Sequence, residues 1–294
     1  MYITRFLRFL EYEKRYSTHT LQSYKTDLEQ LACYLKTVYD ETDMTQATEA
    51  ALRSWIVSLV NKKLKSKTIV RKTSSIKSFY KFLTKEKVIK INSASNLPKL
   101  KVEKRVPVFV EEKKMNILLD DVDFKKDFAG VRNRLIISLL YNLGIRRAEL
   151  INLRNEDIDF YNNDVKIKGK GNKERRIPIS EMLKNEIIAY QKLAKEHFVN
   201  TSVENLLLTD KGKKMYPNFV YRTVRQYLNL VTTQQKNSPH IVRHSFATAL
   251  LNKGADLNVI KSLLGHSSLA STQVYTHTNI EKMKEIYQQA HPKA

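Results

Sequence analysis

Cysteine is nearly missing from this chain: Cys33 is the single one in 294 residues. No intramolecular disulfide can form and no cysteine-rich zinc site can be built, which suits a reducing compartment. Glycine and proline are scarce, at seven and six, and this excludes collagen-like and low-complexity structures. No apolar run approaches the roughly 18 residues of a membrane span. The stretch Met1 to Leu10 is broken by Arg5 and Arg8 and lacks a small-residue cleavage site, so it does not read as a signal peptide. Acids are under-represented as well. Thirty Asp+Glu stand against 52 Lys+Arg, a net charge of +22. That excess is beyond what solubility needs and points to a polyanionic partner, with nucleic acid first. The expectation is a soluble cytoplasmic, nucleoid-associated protein with no membrane partner.

What is present reads as two domains, mainly α with a small antiparallel β-sheet in the second. In residues 1–97 apolar side chains recur at helical spacing, as in Leu21, Tyr24, Leu28, Leu31 and Leu35, or Leu52, Trp55, Ile56 and Leu59. A fourth helix starts at Ser66 and carries Ile69, Ile76, Phe79, Tyr80 and Leu83. Residues 98–107, from Pro98 to Pro107 with Lys99, Lys101, Lys104 and Arg105 between, read as an exposed linker. Beyond it, Leu135 to Leu143 form an apolar run that ends at Gly144, a helix-closing residue. Short strands are expected at 158–160, 165–167 and 176–179, separated by Asn162-Asn163-Asp164 and by Gly169-Lys170-Gly171-Asn172. Helices then return. Ser238-Pro239 opens one, Asp256 opens the next and Gly265 closes it.

The basic excess is not spread evenly. Residues 61–90 hold eleven Lys/Arg against one acid, Glu86. Solvated faces normally mix signs, so this run reads as a phosphate-binding face. Lys67, Arg71, Lys72 and Lys77 are its expected DNA contacts, joined by Lys173 and Arg175 from the hairpin of the second domain.

The last quarter of the chain carries His240 and Arg243 in Pro-His-Ile-Val-Arg-His, His266 in Leu-Leu-Gly-His, and Tyr275 in Val-Tyr-Thr-His. Arg146 and Glu149 lie upstream in Gly-Ile-Arg-Arg-Ala-Glu-Leu, and Lys170 in Gly-Lys-Gly-Asn. His240 and Arg243, three apart near a helix start, share one face where the helix dipole favours an anion. Glu149 is placed to orient Arg146 or His240. A phenol attacking a phosphodiester needs such company. Fixed donors must meet the charge growing on the non-bridging oxygens, and the leaving oxygen needs a proton. Taken singly, each residue has an ordinary role as packing, turn or surface charge; the joint spacing carries the weight.

That pattern resembles the tyrosine recombinases, the phage-integrase family, and most closely their Xer branch. The resemblance spans nearly the whole chain. It implies an all-helical SAM-like core-binding domain at 1–97, acting as a DNA clamp. A catalytic tyrosine recombinase domain follows at 108–294, with a segment at 279–294 that docks on a neighbouring protomer. It implies Tyr275 as the nucleophile that forms a 3′-phosphotyrosyl bond, with Arg146 and Arg243 clamping the phosphate. Lys170 becomes the general acid, His240 takes the phenol's proton or holds the phosphate, and His266 donates a hydrogen bond to the phosphate. The partners implied are double-stranded DNA with a paired recombination site and a homo- or hetero-tetramer of recombinases. A Holliday-junction intermediate and an activating DNA translocase complete the set. No cofactor is implied, and no metal, since arginines supply the charge a metal supplies elsewhere. The function expected is Xer-type resolution of chromosome dimers at cell division, with integration of a phage, integron or conjugative element as the alternative. A non-catalytic DNA-binding protein would account for the charge but not for six filled positions. A metal-dependent nuclease would need clustered carboxylates that the sequence does not offer.

Overall fold

The computed structural model describes residues 2–98, 108–169, 173–198, 204–234 and 237–265. It divides into two compact units, Met1–Arg105 and Val106–Ala294. The fold is mainly helical, with one three-stranded antiparallel sheet among the described residues.

The first unit is built from α1 (Tyr2–Arg8, continuing through a π turn to Glu13), α2 (Thr18–Tyr39), α3 (Glu49–Asn61) and α4 (Ser66–Lys85). Capping side chains set two of the starts. Ser17 accepts from the Thr20 N–H at 3.4 Å, and Thr48 from the Ala51 N–H at 3.2 Å. Phe6, Leu28, Leu31, Leu52, Ile76, Phe79 and Leu83 are sealed from solvent. The rings of Phe6 and Phe79 meet edge to face at 5.4 Å. Burying each such side chain contributes about 1.5–3 kcal/mol.

One expectation for α4 needs correction. Lys72 is not on a phosphate-binding face: it is buried, and its ammonium donates to Asp27 Oδ1 at 2.9 Å and to Gln30 Oε1. Asp27 is itself fully buried and also accepts from Arg71 and, at 2.8 Å, from Ser75 Oγ. A carboxylate out of water must be paired and hydrogen-bonded, and α4 supplies three donors to do so. Arg71 is half-exposed but committed to this ion pair. Lys77 donates to the carbonyl of Leu97 at 2.7 Å, tying the chain after α4 back onto it. Lys67 alone of the four keeps an exposed side chain without such a tie.

The second unit starts with α5 (Glu112–Asp120) and α6 (Phe128–Leu143). Leu135, Ile136, Ile137, Leu139, Leu140 and Tyr141 of α6 are at most 1% exposed, so this helix is covered on all sides. Gly144 caps it at φ +56°. α7 (Arg147–Asn152) leads into β1 (Ile158–Asp159), β2 (Asp164–Lys168) and β3 (Glu174–Pro178). The sheet order is β1-β2-β3, with Val165 opposite Ile177 and Ile167 opposite Arg175. α8 (Glu181–His197), α9 (Pro217–Val231), α10 (Pro239–Asn252) and α11 (Leu257–Leu264) complete the described fold. Asp256 accepts from the Asn258 N–H at 2.7 Å to start α11, and Gly265, at φ +61°, ends it. Among the described residues no helix is long and apolar enough to cross a membrane.

Candidate active site

Two helix ends and one strand converge in the second unit. Arg146 is the N-cap of α7, and Glu149 sits in that helix's first turn. Glu149 Oε2 accepts from the Arg146 backbone N–H at 2.8 Å, and Oε1 accepts from Arg146 Nη1 at 2.8 Å. The carboxylate thus closes the helix start and fixes the guanidinium at once. Glu149 has a second basic partner, Arg175 of β3, which donates from Nη1 to Oε1 at 3.2 Å and from Nη2 to Oε2 at 2.8 Å. A third, Arg243, approaches Oε2 to 4.0 Å.

All three arginines also hold the end of α11. Arg175 Nε donates to the Leu263 carbonyl at 2.7 Å, Arg243 Nη2 to Leu264 at 2.6 Å, and Arg146 Nη2 to Gly265 at 3.1 Å. The last carbonyls of a helix lack intrahelical partners and carry partial negative charge, so cationic donors suit them. Arg243 spends its remaining short bond on the carbonyl of Gly144, at 2.6 Å. Two glycine-capped helix ends therefore fix Arg243 from opposite sides. Gly265 is constrained twice over, since a Cβ there would lie 3.0 Å from Arg175 Nη1.

One carboxylate faces three guanidiniums, so these four groups keep two positive charges uncompensated. Burial pushes the Arg243 guanidinium down to about 10, with Arg146 and Arg175 pushing the same way and Glu149 opposing. Burial would raise the Glu149 carboxyl, but hydrogen bonds and charge from Arg175 and Arg146 outweigh it and hold it below the ordinary range. The cluster is buried on its inner side and short of negative charge. Arg146 remains partly open to solvent, so an anion arriving from outside would find a fixed donor set. His240 follows Pro239 at the start of α10, three residues before Arg243, and is exposed where Arg243 is buried. Burial, with the charges of Arg147, His244, Arg243 and Arg146, lowers its pKa, so its imidazole is neutral at neutral pH. A neutral imidazole beside guanidiniums can accept a proton where they cannot.

The structure thus brings Arg146, Glu149, Arg243 and His240 into one place. Lys170, His266 and Tyr275, and the segment 279–294, lie outside the described residues. Arg175 requires correction. Its three guanidinium nitrogens all bond protein groups, Glu149 and the Leu263 carbonyl, so it is an anchor rather than an open contact. The alternation of β3 accounts for it: Arg175 and Ile177 share the inward face while Glu174 and Arg176 face out. That period was readable in the sequence and marks Arg175 as the inward residue. Lys173 is exposed, and its carbonyl accepts from the Gly169 N–H at 2.8 Å to close the hairpin.

Comparison with known proteins gives the family and the fold. Residues 109–282 match the phage integrase family, and residues 3–87 match the phage integrase N-terminal SAM-like domain. The tyrosine recombinase XerC of Staphylococcus saprophyticus is 37% identical, over 98% of this chain and 96% of its own length. That of Thermodesulfovibrio yellowstonii is 34% identical, over 99% of this chain and 96% of its own. Among solved structures, the XerH site-specific recombinase bound to a palindromic difH substrate shares the fold with a TM-score of 0.72. It is 22% identical and covers 90% of this chain and 78% of its own. A lambda integrase tetramer bound to a Holliday junction gives 0.69 at 15% identity, covering 92% of this chain and 74% of the other.

Proposed function

The chain belongs to the phage integrase family and is a site-specific tyrosine recombinase, and on that premise we propose that its Arg146–Glu149–Arg243 cluster is the phosphate clamp of a DNA strand-exchange reaction that resolves chromosome dimers. The observation that supports the clamp is the charge balance: three guanidiniums, fixed by helix-end carbonyls and by one carboxylate, leave a preorganised site for an anion. In this reading Tyr275 Oη attacks a DNA phosphorus. A tyrosyl–phosphorus bond forms and the bond from phosphorus to the 5′-oxygen breaks. The phenolic proton passes to neutral His240, and Lys170 gives its proton to the departing 5′-oxygen. His266 donates a hydrogen bond to the phosphate. A 5′-hydroxyl from the partner duplex then attacks the phosphotyrosine, so bond energy is conserved.

Residues 1–97 serve as the core-binding domain, 98–107 as the linker and 108–294 as the catalytic domain. The working assembly is a tetramer on two duplexes in the cytoplasm, with a DNA translocase as its activator. The near full-length likeness to proteins named XerC supports the chromosomal role.

The test is a nicked substrate that traps the covalent intermediate. Wild-type protein is expected to become linked to DNA, while Tyr275→Phe binds equally and forms no adduct. Adduct formation by Tyr275→Phe would remove Tyr275 from its role. Mapping of covalent sites across a genome then fixes the biology: one site near the replication terminus supports dimer resolution, and sites at element ends indicate an integrase.

A further inference from the structure

We propose that Arg175 is a positioning residue for the cleavage step: it holds Glu149 and the end of α11 in a single register, and so sets where Arg146 and Arg243 point. The proposal rests on the clamp reading above. All three guanidinium nitrogens of Arg175 already bond protein groups, which leaves it poorly placed to meet DNA itself. Its donors are already assigned. Two close a paired bond on Glu149 and one reaches the Leu263 carbonyl. Glu149 in turn bonds both the backbone and the side chain of Arg146. The carbonyl next to Leu263 is the one Arg243 holds, and the next again is held by Arg146. Arg175 therefore touches both supports of the clamp while standing one layer behind it.

Its place in the sheet makes it a rigid support. Arg175 lies opposite Ile167, which is 1% exposed, and two residues before the fully buried Ile177. A guanidinium is needed here rather than any cation. Its planar fork meets both carboxylate oxygens in parallel while a third N–H points elsewhere. A lysine at 175 would keep the charge but could not serve Glu149 and Leu263 together with fixed geometry. Gly169 adds a further constraint. A Cβ there would stand 3.6 Å from Glu149 Oε1 and 3.7 Å from Arg175 Nη1, so the hairpin passes within contact distance of this pair.

The experiment compares cleavage of an ordinary DNA phosphate with cleavage of a methylphosphonate at the same position. Replacing one non-bridging oxygen by methyl removes the charge that an arginine clamp exists to neutralise. Arg175→Gln is expected to slow cleavage of ordinary DNA by about 10²-fold, the scale for misplacing a reacting group by about 1 Å. DNA affinity and its salt dependence should stay at the wild-type level, and most of the defect should vanish on the methylphosphonate. Arg175→Lys should show the same pattern with a smaller loss; it carries the test if the glutamine variant does not fold. Arg146→Ala is the control. If its defect is not relieved on the methylphosphonate, the clamp reading itself fails. If Arg146→Ala is relieved and Arg175→Gln is equally slow on both substrates, Arg175 serves only the general fold and the proposal is overturned. Wild-type cleavage by Arg175→Lys would reduce the residue to a charge. A salt slope shallower by roughly one unit would make it a phosphate contact. Either result also overturns the proposal.

Discussion

Arg243 donates from Nη1 to the carbonyl oxygen of Gly144 at 2.6 Å, across 99 residues of sequence. The acceptor exists because α6 stops there, and α6 stops there because residue 144 takes the left-handed conformation that glycine allows. A turn residue of one helix is thus part of the mount for a guanidinium on another.

Gly144→Ala is the direct probe of that mount. A Cβ at 144 would lie 2.2 Å from Cδ1 of Phe246, and φ is +56°. The left-handed backbone costs about 1–2 kcal/mol for a residue with a Cβ, and overpacking against the ring adds about 1–3 kcal/mol. Denaturant unfolding should show a loss in this combined range. Cleavage should fall further than the folded fraction does, because the Arg243 acceptor shifts with the backbone. A variant with unchanged midpoint and rate would show that Gly144 is replaceable.

His240 makes the pH dependence specific. Its folded pKa lies below the usual 6.5, so the folded state holds fewer protons than the unfolded one below that pH. The sign follows: its contribution to stability is complete above pH 6.5 and is lost as the pH falls through the folded value. The same neutral form is the one able to take a proton from a phenol. The acid limb of kcat/KM, which reports the free enzyme, is therefore expected below pH 6.5, and His240→Gln should flatten it. An acid limb above pH 6.5, or one that survives in His240→Gln, would assign the proton acceptor elsewhere. Glu149 acts in the same direction at lower pH, since its carboxyl too is held below its ordinary value.

Lys67 and Lys72 should separate cleanly, although both belong to one basic run. Lys72→Met leaves the buried Asp27 short of one partner, and should cost about 3 kcal/mol, the lower end for breaking a buried ion pair. Lys67→Gln should leave stability within about 0.5 kcal/mol of wild type. If Lys67 meets a phosphate, it should also make the salt dependence of DNA binding shallower by about one unit. Urea midpoints and binding titrations at several salt concentrations distinguish the two. Loss of salt dependence in a fully stable Lys72→Met would contradict the buried pair.

These contrasts mark what the sequence could reveal. Gly144 and Gly265 announced the two helix ends, and the turns at 162–164 and 169–172 announced a hairpin sheet, because each is a local requirement of the backbone. Arg146 and Glu149, and likewise His240 and Arg243, stood out by local spacing, whereas the meeting of the two pairs across more than 90 residues is a tertiary fact. Lys72 was misread because its partner, Asp27, lies 45 residues away on another helix. Nothing local distinguishes a lysine aimed at a buried carboxylate from one aimed at solvent. Arg175 was misread for a different reason. The strand expected at 176–179 stopped one residue short of it, so the alternation that groups it with Ile177 was never applied to it.

Three consecutive carbonyls, those of Leu263, Leu264 and Gly265, each receive a different arginine. Consecutive Cα atoms stand about 3.8 Å apart on a rigid backbone, so these acceptors cannot move independently. A slide of α11 by about one such spacing would carry every acceptor beyond hydrogen-bond reach in the same motion. The three α11 bonds are therefore kept or lost together, while Glu149 and the Gly144 carbonyl still hold the guanidiniums from their other side. The position of a single eight-residue helix thus acts on all three guanidiniums at once, as a common dial on groups drawn from three different elements.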